Sequence, residues 1–383
     1  MPDRPPTHAA LSAAAHWQWR FHAFDRMAAI YTDSRSFAEL FQHRYRRMVS
    51  RGYLQEVEVR YGVFAAQENP WSTPVVVLDR EVWPMAHPEL LEWFAAEAIL
   101  RDILRRVRTH FLVHAGAVAH QGRALVLLGD SMWGKTTLVL ELLRCGFHLL
   151  SDDLAAIERG RSRVHAFPRG LQIRPETLEL LGIQPPENAT MPWTDKLVVD
   201  VEALFPGQVA EEAELTYVVA LFDPDAPSWE ERTRAPLQIW MEWVPEDLRQ
   251  SLDTHPHVHR VEQGSLHGFP LLRIHAQDKH AVLAQIEALA ARHRAPILNV
   301  WQWEEHRPSF TGPARLQEIR PSELIPDILQ RFHLGTRSAV LEEHRHRSLP
   351  LTVELLERLA QARCFRLQVG PVDAMADLLC ALF

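Results

Sequence analysis

The spacing of apolar positions changes several times along this chain. Val57–Ala65 and Pro74–Leu78 are rich in β-branched residues and predict strands. Between Pro88 and His110 the spacing becomes helical: Leu90, Leu91, Phe94, Ala98, Ile103 and Val107 recur near a 3.6-residue period. Arg101, Arg105, Arg106 and Arg108 take the remaining positions, which predicts a long helix with a solvated basic face rather than phosphate contacts.

From 111 to about 205 the pattern is more specific. Phe111–Ala119 is apolar and extended, Gln121-Gly122 reads as a turn, and Arg123–Leu128 is almost wholly apolar, as a strand buried on both faces would be. Lys135–Arg144 reads as a helix with Gly146 as its C-terminal stop. Phe147–Leu150 predicts a second strand, ending in Ser151-Asp152-Asp153 and expected to lie beside the first. Strand, glycine-rich loop, helix, strand is the skeleton of an α/β nucleotide-binding unit.

Past 212, Leu215–Phe222 predicts a strand, and Val244–Asp253, Lys279–Arg292, Ser322–Phe332 and Leu351–Arg363 predict helices. Pro236-Leu237-Gln238 with its following helix, Pro270–Ile274 and another helix echoes Arg315-Leu316-Gln317, a helix, Phe365–Val369 and a helix. Either a duplication or two unrelated α/β hairpins fits that echo. Proline and charge clusters at 223–236 and 304–314 mark linkers. The expected division is an N-terminal α/β region over 1–110, a nucleotide-binding domain over 111–222 and a C-terminal α/β region over 223–383.

Composition narrows the function classes. The 383 residues carry a formal charge of −8, against a general nucleic-acid binder. Cys145, Cys364 and Cys380 have neither metal-type spacing nor the makings of a disulfide framework, which fits a reducing compartment. The N-terminus lacks a continuous apolar signal core, and no apolar run is long enough to span a bilayer, so a cytoplasmic protein with no membrane partner is expected. The oligomeric state stays open. Only three lysines occur, Lys135, Lys196 and Lys279.

Gly129-Asp130-Ser131-Met132-Trp133-Gly134-Lys135-Thr136 fits G-x-x-x-x-G-K-[ST], with Thr137 following. Such a loop wraps a phosphate with inward-pointing backbone N–H groups, and Gly129 and Gly134 permit the curvature and close approach. The following helix offers its N-terminal N–H groups and dipole. Lys135 is expected to reach the β- and γ-phosphates of ATP, and Thr136 to offer its hydroxyl to Mg²⁺. Met132 and Trp133 stand where such loops usually carry small residues. Trp133 is expected to pack against a neighbouring domain rather than a nucleobase.

Asp152 and Asp153 stand where carboxylates at a sheet's carboxyl edge face bound phosphates. One can hold Mg²⁺ and the other can take a proton from an attacking hydroxyl. Mutual repulsion lifts one of two adjacent carboxyls. His114 ends a predicted strand upstream of the loop.

Together these residues resemble the catalytic domain of HPr kinase/phosphorylase, a bacterial serine kinase family akin in its core to phosphoenolpyruvate carboxykinase. The match runs without gaps through Gly129-Asp130-Ser131, Gly134-Lys135-Thr136, Leu140-Glu141-Leu142, Gly146, Leu149 and Asp152-Asp153, and spans roughly 110–205. The resemblance implies an α/β phosphate-loop core with N- and C-terminal α/β extensions. It further implies ATP and Mg²⁺ held by Lys135, Thr136 and the aspartates, activation of a hydroxyl by Asp153 or Asp152, and His114 near the transferred phosphate or metal. His114-Ala115-Gly116 replaces the family's His-Gly, Thr137-Leu138 replaces a Glu-Thr, and Phe167–Pro175 replaces a glycine-rich signature. The last departure resembles divergent members, some of which act on precursor peptides, and argues against HPr as substrate. Within that segment Arg169 and Arg174 are candidates for a phosphate clamp, with surface ion pairing the alternative; Lys196 is a further candidate. His255, His257 and His259, and likewise His344 and His346, read as solvated rather than metal-binding. The expected function is phosphorylation of a Ser/Thr hydroxyl on a peptide or protein, and the alternative is a nucleotide-dependent binding module without kinase activity.

Overall fold

A computed structural model describes residues 6–51, 57, 59–65, 70–186, 195–302, 304–325, 327–328 and 348–383. Its centre is a nine-stranded mixed sheet. One path through it runs His148–Ser151, Gly116–His120, Arg123–Leu128, Glu212–Phe222. Arg123–Leu128 pairs in parallel with Glu212–Phe222, which pairs in parallel with Arg363–Gln368; Arg315–Ile319 adds antiparallel at the edge. Strands Arg163–His165, Ala155–Glu158 and His110–Val113 branch from the start of Glu212–Phe222.

The apolar run at 123–128 has a direct cause. Leu125 and Leu127 pack on one face with the helix Lys135–Arg144 and the helix Val372–Cys380. Ala124, Val126 and Leu128 pack on the other with Leu355 and Leu359 of the helix Ser348–Leu359. Both faces are covered, so period-two alternation disappears from the sequence.

Two expectations are corrected here. The strand leading to the aspartates does not neighbour Arg123–Leu128. Gln121 and Gly122, at φ 50° and 75°, close a tight hairpin that folds Gly116–His120 onto that edge, so His148–Ser151 lies one strand farther out. The sheet also does not end at 222, because Arg315–Ile319 and Arg363–Gln368 return to it. The echoing segments therefore belong to different sheets, although each places a helix between antiparallel strands.

An N-terminal six-stranded sheet carries the helices Arg35–Arg44 and Leu91–Arg105. The long predicted helix is shorter than expected: a 3₁₀ turn fills Pro88–Leu90, and His110 already belongs to a strand. Ser322–Phe332 starts as a 3₁₀ turn at Pro321–Leu324, and most of the rest lies outside the described residues. A third unit, inserted between 237 and 301, is an antiparallel four-stranded sheet covered by Glu246–Asp253 and Lys279–His293. Its Trp240, Phe269, Leu271 and Leu298 share one core with Trp93 and Phe94 of Leu91–Arg105. Among the described residues no helix is long and apolar enough to cross a membrane.

Candidate active site

Arg123–Leu128 runs through Gly129–Gly134 into the helix Lys135–Arg144. Gly134 caps that helix at φ 80°, a left-handed conformation that glycine adopts without a Cβ penalty. Met132 is also left-handed, at φ 68°, which costs a non-glycine residue about 1 kcal/mol or more. Left-handed residues within a short loop help curl it into a concave, anion-accepting bend. Gly129 has a packing reason: a Cβ there would lie 3.1 Å from Leu221 Cδ1 on the neighbouring strand. The buried Lys135 folds across the loop and donates to Gly129 O at 2.9 Å and Asp130 O at 2.8 Å. Ser131 and Thr136 are half-buried at the loop and the first helical turn. Thr137 Oγ1 lies 3.5 Å from Thr177 Oγ1, toward the helix Pro175–Leu180 rather than the loop.

The two predicted linkers turn out to wall the loop. Arg232 forms a buried ion pair with Asp130, and its Nε donates to Glu304 O at 3.2 Å. Trp133 is buried in the core shared by the helix Lys135–Arg144 and the central sheet and donates from Nε1 to His306 O at 3.2 Å, so it packs within its own unit and against a linker rather than a neighbouring domain. His306 Nε2 lies 2.7 Å from Asp223 Oδ2. The Phe310 ring lies over Gly134, its Cε1 3.1 Å from where a Cβ would stand. Sequence reasoning missed Arg232, His306 and Phe310. The one available signal was that both linkers are dense in proline and charged residues.

Below the loop, Ser151 Oγ accepts from the Leu154 N–H at 3.0 Å and helps set the turn that presents the aspartates. Asp153 Oδ1 lies 2.9 Å from His114 Nδ1, at the end of the strand His110–Val113, and Oδ2 pairs with Arg169. Arg169 is buried, and the adjacent Gly170 N–H donates to Arg44 O at 2.6 Å, so the N-terminal unit braces it. Asp152 is 3% exposed. Its Oδ2 accepts from the Gln172 N–H at 3.4 Å, and its Oδ1 has no hydrogen-bond partner among the described residues.

These surroundings drive the two carboxyls apart. Burial raises Asp152; Arg169 offsets part of that, while the charge of Asp153 adds to it. Burial would also raise Asp153, but His114 and Arg169, joined by Lys135, outweigh it and hold Asp153 well below the usual carboxylate range. Lys196 is the smallest of the influences that lower Asp152. Arg174 stands apart, paired with Asp195 at the surface.

No protein-family model matches the chain, and no curated protein matches it in sequence. Among solved structures, the Hpr(Ser) kinase/phosphatase from Coxiella burnetii aligns with 48% of this chain and 95% of its own length. The identity is 18% and the TM-score 0.21. A superposition this poor does not establish a shared fold.

No group of three or more His, Cys, Asp or Glu that could cage a metal occurs among the described residues. His255 and His257 sit in a turn, the His257 N–H donating to His255 Nδ1 at 3.1 Å; His344 and His346 lie outside the described residues. Magnesium that travels with phosphates needs only one or two protein oxygens. The orphaned Asp152 Oδ1 beside an ionised Asp153 fits that smaller requirement.

Proposed function

We propose that the protein is an ATP-dependent phosphotransferase that phosphorylates a Ser or Thr hydroxyl of a peptide or protein other than HPr. The observation that carries this reading is geometric: Lys135 lies buried across the bend at Gly129–Gly134, and Asp153, held by His114 and Arg169, follows a strand of the same sheet two places away.

In this reading Gly129–Thr136 grips the triphosphate, and Lys135 exchanges its own loop carbonyls for β- and γ-phosphate oxygens. The acceptor oxygen attacks the γ-phosphorus, the bond to the β–γ bridging oxygen breaks, and ADP leaves. Asp153, the more exposed carboxylate, orients the hydroxyl and takes its proton as the new P–O bond forms. Its low pKa suits a base that receives the proton late. Arg169 and His114 fix its position. Bound Mg²⁺, held by Thr136 and Asp152, would neutralise charge on the phosphates and leave Asp153 to take the proton. Arg174 and Thr137 take no part in this arrangement.

One observation favours a second reading. The Phe310 ring over Gly134 and the Arg232–Asp130 pair engage the loop with the chain's own segments. A module that couples nucleotide binding to the inserted unit, without phosphotransfer, would use such contacts. Incubation with labelled ATP and candidate peptides separates the two. An added phosphate on a peptide, lost in Asp153→Asn, supports the kinase. Nucleotide binding with no acceptor, unaffected by Asp153→Asn, supports the module.

A further inference from the structure

A cleft of about 530 Å³ lies at the seam between the N-terminal sheet and the inserted four-stranded unit. None of its lining residues belongs to the phosphate loop or the aspartate cluster. Its walls come from the hairpin around Asp79, the helix Leu91–Arg105, the helix Lys279–His293 and the strand Ile297–Trp301. The volume falls within the roughly 300–1,000 Å³ of small-ligand sites.

One side is apolar. Trp83 and Phe94, with ring centroids 6.5 Å apart, continue into Ala98, Ala290 and Ile297. The same helix also brings Arg101 and Arg105, one turn apart, to the cleft. The neighbouring Arg106 is satisfied, 2.9 Å from Asp102 and 3.6 Å from Asp79. Arg101 is not: it makes no hydrogen bond or ion pair among the described residues. Burial lowers its pKa, with Glu97 and Glu287 acting only in part against that. The Arg105 Nε is buried without a hydrogen-bond partner among the described residues. Both guanidinium groups are half-buried along the cleft wall and form no ion pair among the described residues, so a bound anion would supply the missing partner.

The charge of the cleft narrows the ligand. Four arginines and four carboxylates line it, so a polyanion would meet as much repulsion as attraction, whereas a single carboxylate fits two guanidinium forks. We propose that this cleft binds a monocarboxylate with an aromatic or branched apolar body, its carboxylate on Arg101 and Arg105 and its body against Trp83 and Phe94. The carboxylate belongs either to a free small acid or to the C-terminus of a peptide.

Calorimetric titration of the full chain tests this with N-acetyl-phenylalanine, N-acetyl-phenylalaninamide, and an octapeptide ending in phenylalanine as free acid and as amide. At least one acid should bind about tenfold or more tightly than its amide, and Arg101→Ala should weaken it by about tenfold or more. Arg105→Gln gives the same readout where Arg101→Ala folds poorly. Binding of the small acid identifies a free ligand, and binding of the peptide acid alone identifies a chain end. Equal affinity for acid and amide, no binding of either acid, or acid binding unaffected by both arginine variants overturns the proposal.

Discussion

Asp130→Asn removes one charge from a pair whose side chains are only 7% (Arg232) and 9% (Asp130) exposed. Two charges about 4 Å apart at an effective dielectric of about 20 attract by roughly 4 kcal/mol. Deleting one partner of a buried pair costs about 3–5 kcal/mol, because the other is left desolvated. For a cooperative unit of about 150–250 residues that corresponds to a fall in Tm of roughly 6–20 °C. The pair joins the phosphate loop to the segment entering the inserted unit, so the loss should be seen where the loop unfolds. Arg232→Met should cost a similar amount. The double variant Asp130→Asn/Arg232→Met should recover much of the loss, because no charge is then stranded, with a coupling of about 1.5 kcal/mol or more. A thermal melt of the four proteins at neutral pH decides it. A drop below about 2 °C for Asp130→Asn, or a double variant that falls by the sum of the singles, would refute the reasoning.

Other predictions follow from the same geometry. Asp152 is raised by burial, so it favours the fold while protonated and loses that contribution as pH rises through its folded pKa. Asp152→Asn should therefore be neutral or stabilising at pH 8 and lose its advantage toward pH 4; clear destabilisation at pH 8 in urea titrations would contradict this. Asp153 has the opposite sign. Its contribution is present above the unfolded carboxyl pKa and is lost only as pH falls through its depressed folded value. Asp153→Asn should thus destabilise at neutral pH, by about 1–3 kcal/mol after allowing for its partial exposure, and the deficit should vanish under strong acid. Phe310→Ala clears a ring from Gly134 and should tighten ATP binding several-fold in equilibrium titrations; unchanged or weaker binding would show that the ring does not obstruct the loop.

The legible parts of this fold were local ones. Lys135–Arg144 was bounded correctly because a glycine precedes it and another follows the chain's exit from it. Arg123–Leu128 was legible because burial on both faces leaves an unbroken apolar run. Pairing over long sequence distances was not. The turn at Gln121-Gly122 was legible, but not that His148–Ser151 pairs with the far side of the hairpin it closes; the return of Arg363–Gln368 to the sheet depends on packing from the far end of the chain. At the site, Lys135 and Asp153 could be named because motif and spacing point to them. Arg232 could not, because nothing in a run such as Trp229–Thr233 says that its arginine meets an aspartate 102 positions earlier. Arg101 and Arg105 read as a solvated face because helical periodicity tells which residues share a side, and does not tell what covers it.

The central claim is that the bend at Gly129–Thr136 grips a triphosphate through Lys135. Thermal stabilisation by Mg-ATP measures it most directly. At a ligand concentration of about 100 Kd, binding adds about 2.7 kcal/mol of stability to the native state. The account predicts a saturable rise in Tm for the native chain that disappears in Lys135→Ala, each rise being measured from that protein's own ligand-free Tm. An equal nucleotide-dependent rise in Lys135→Ala, or none in the native chain, would contradict it.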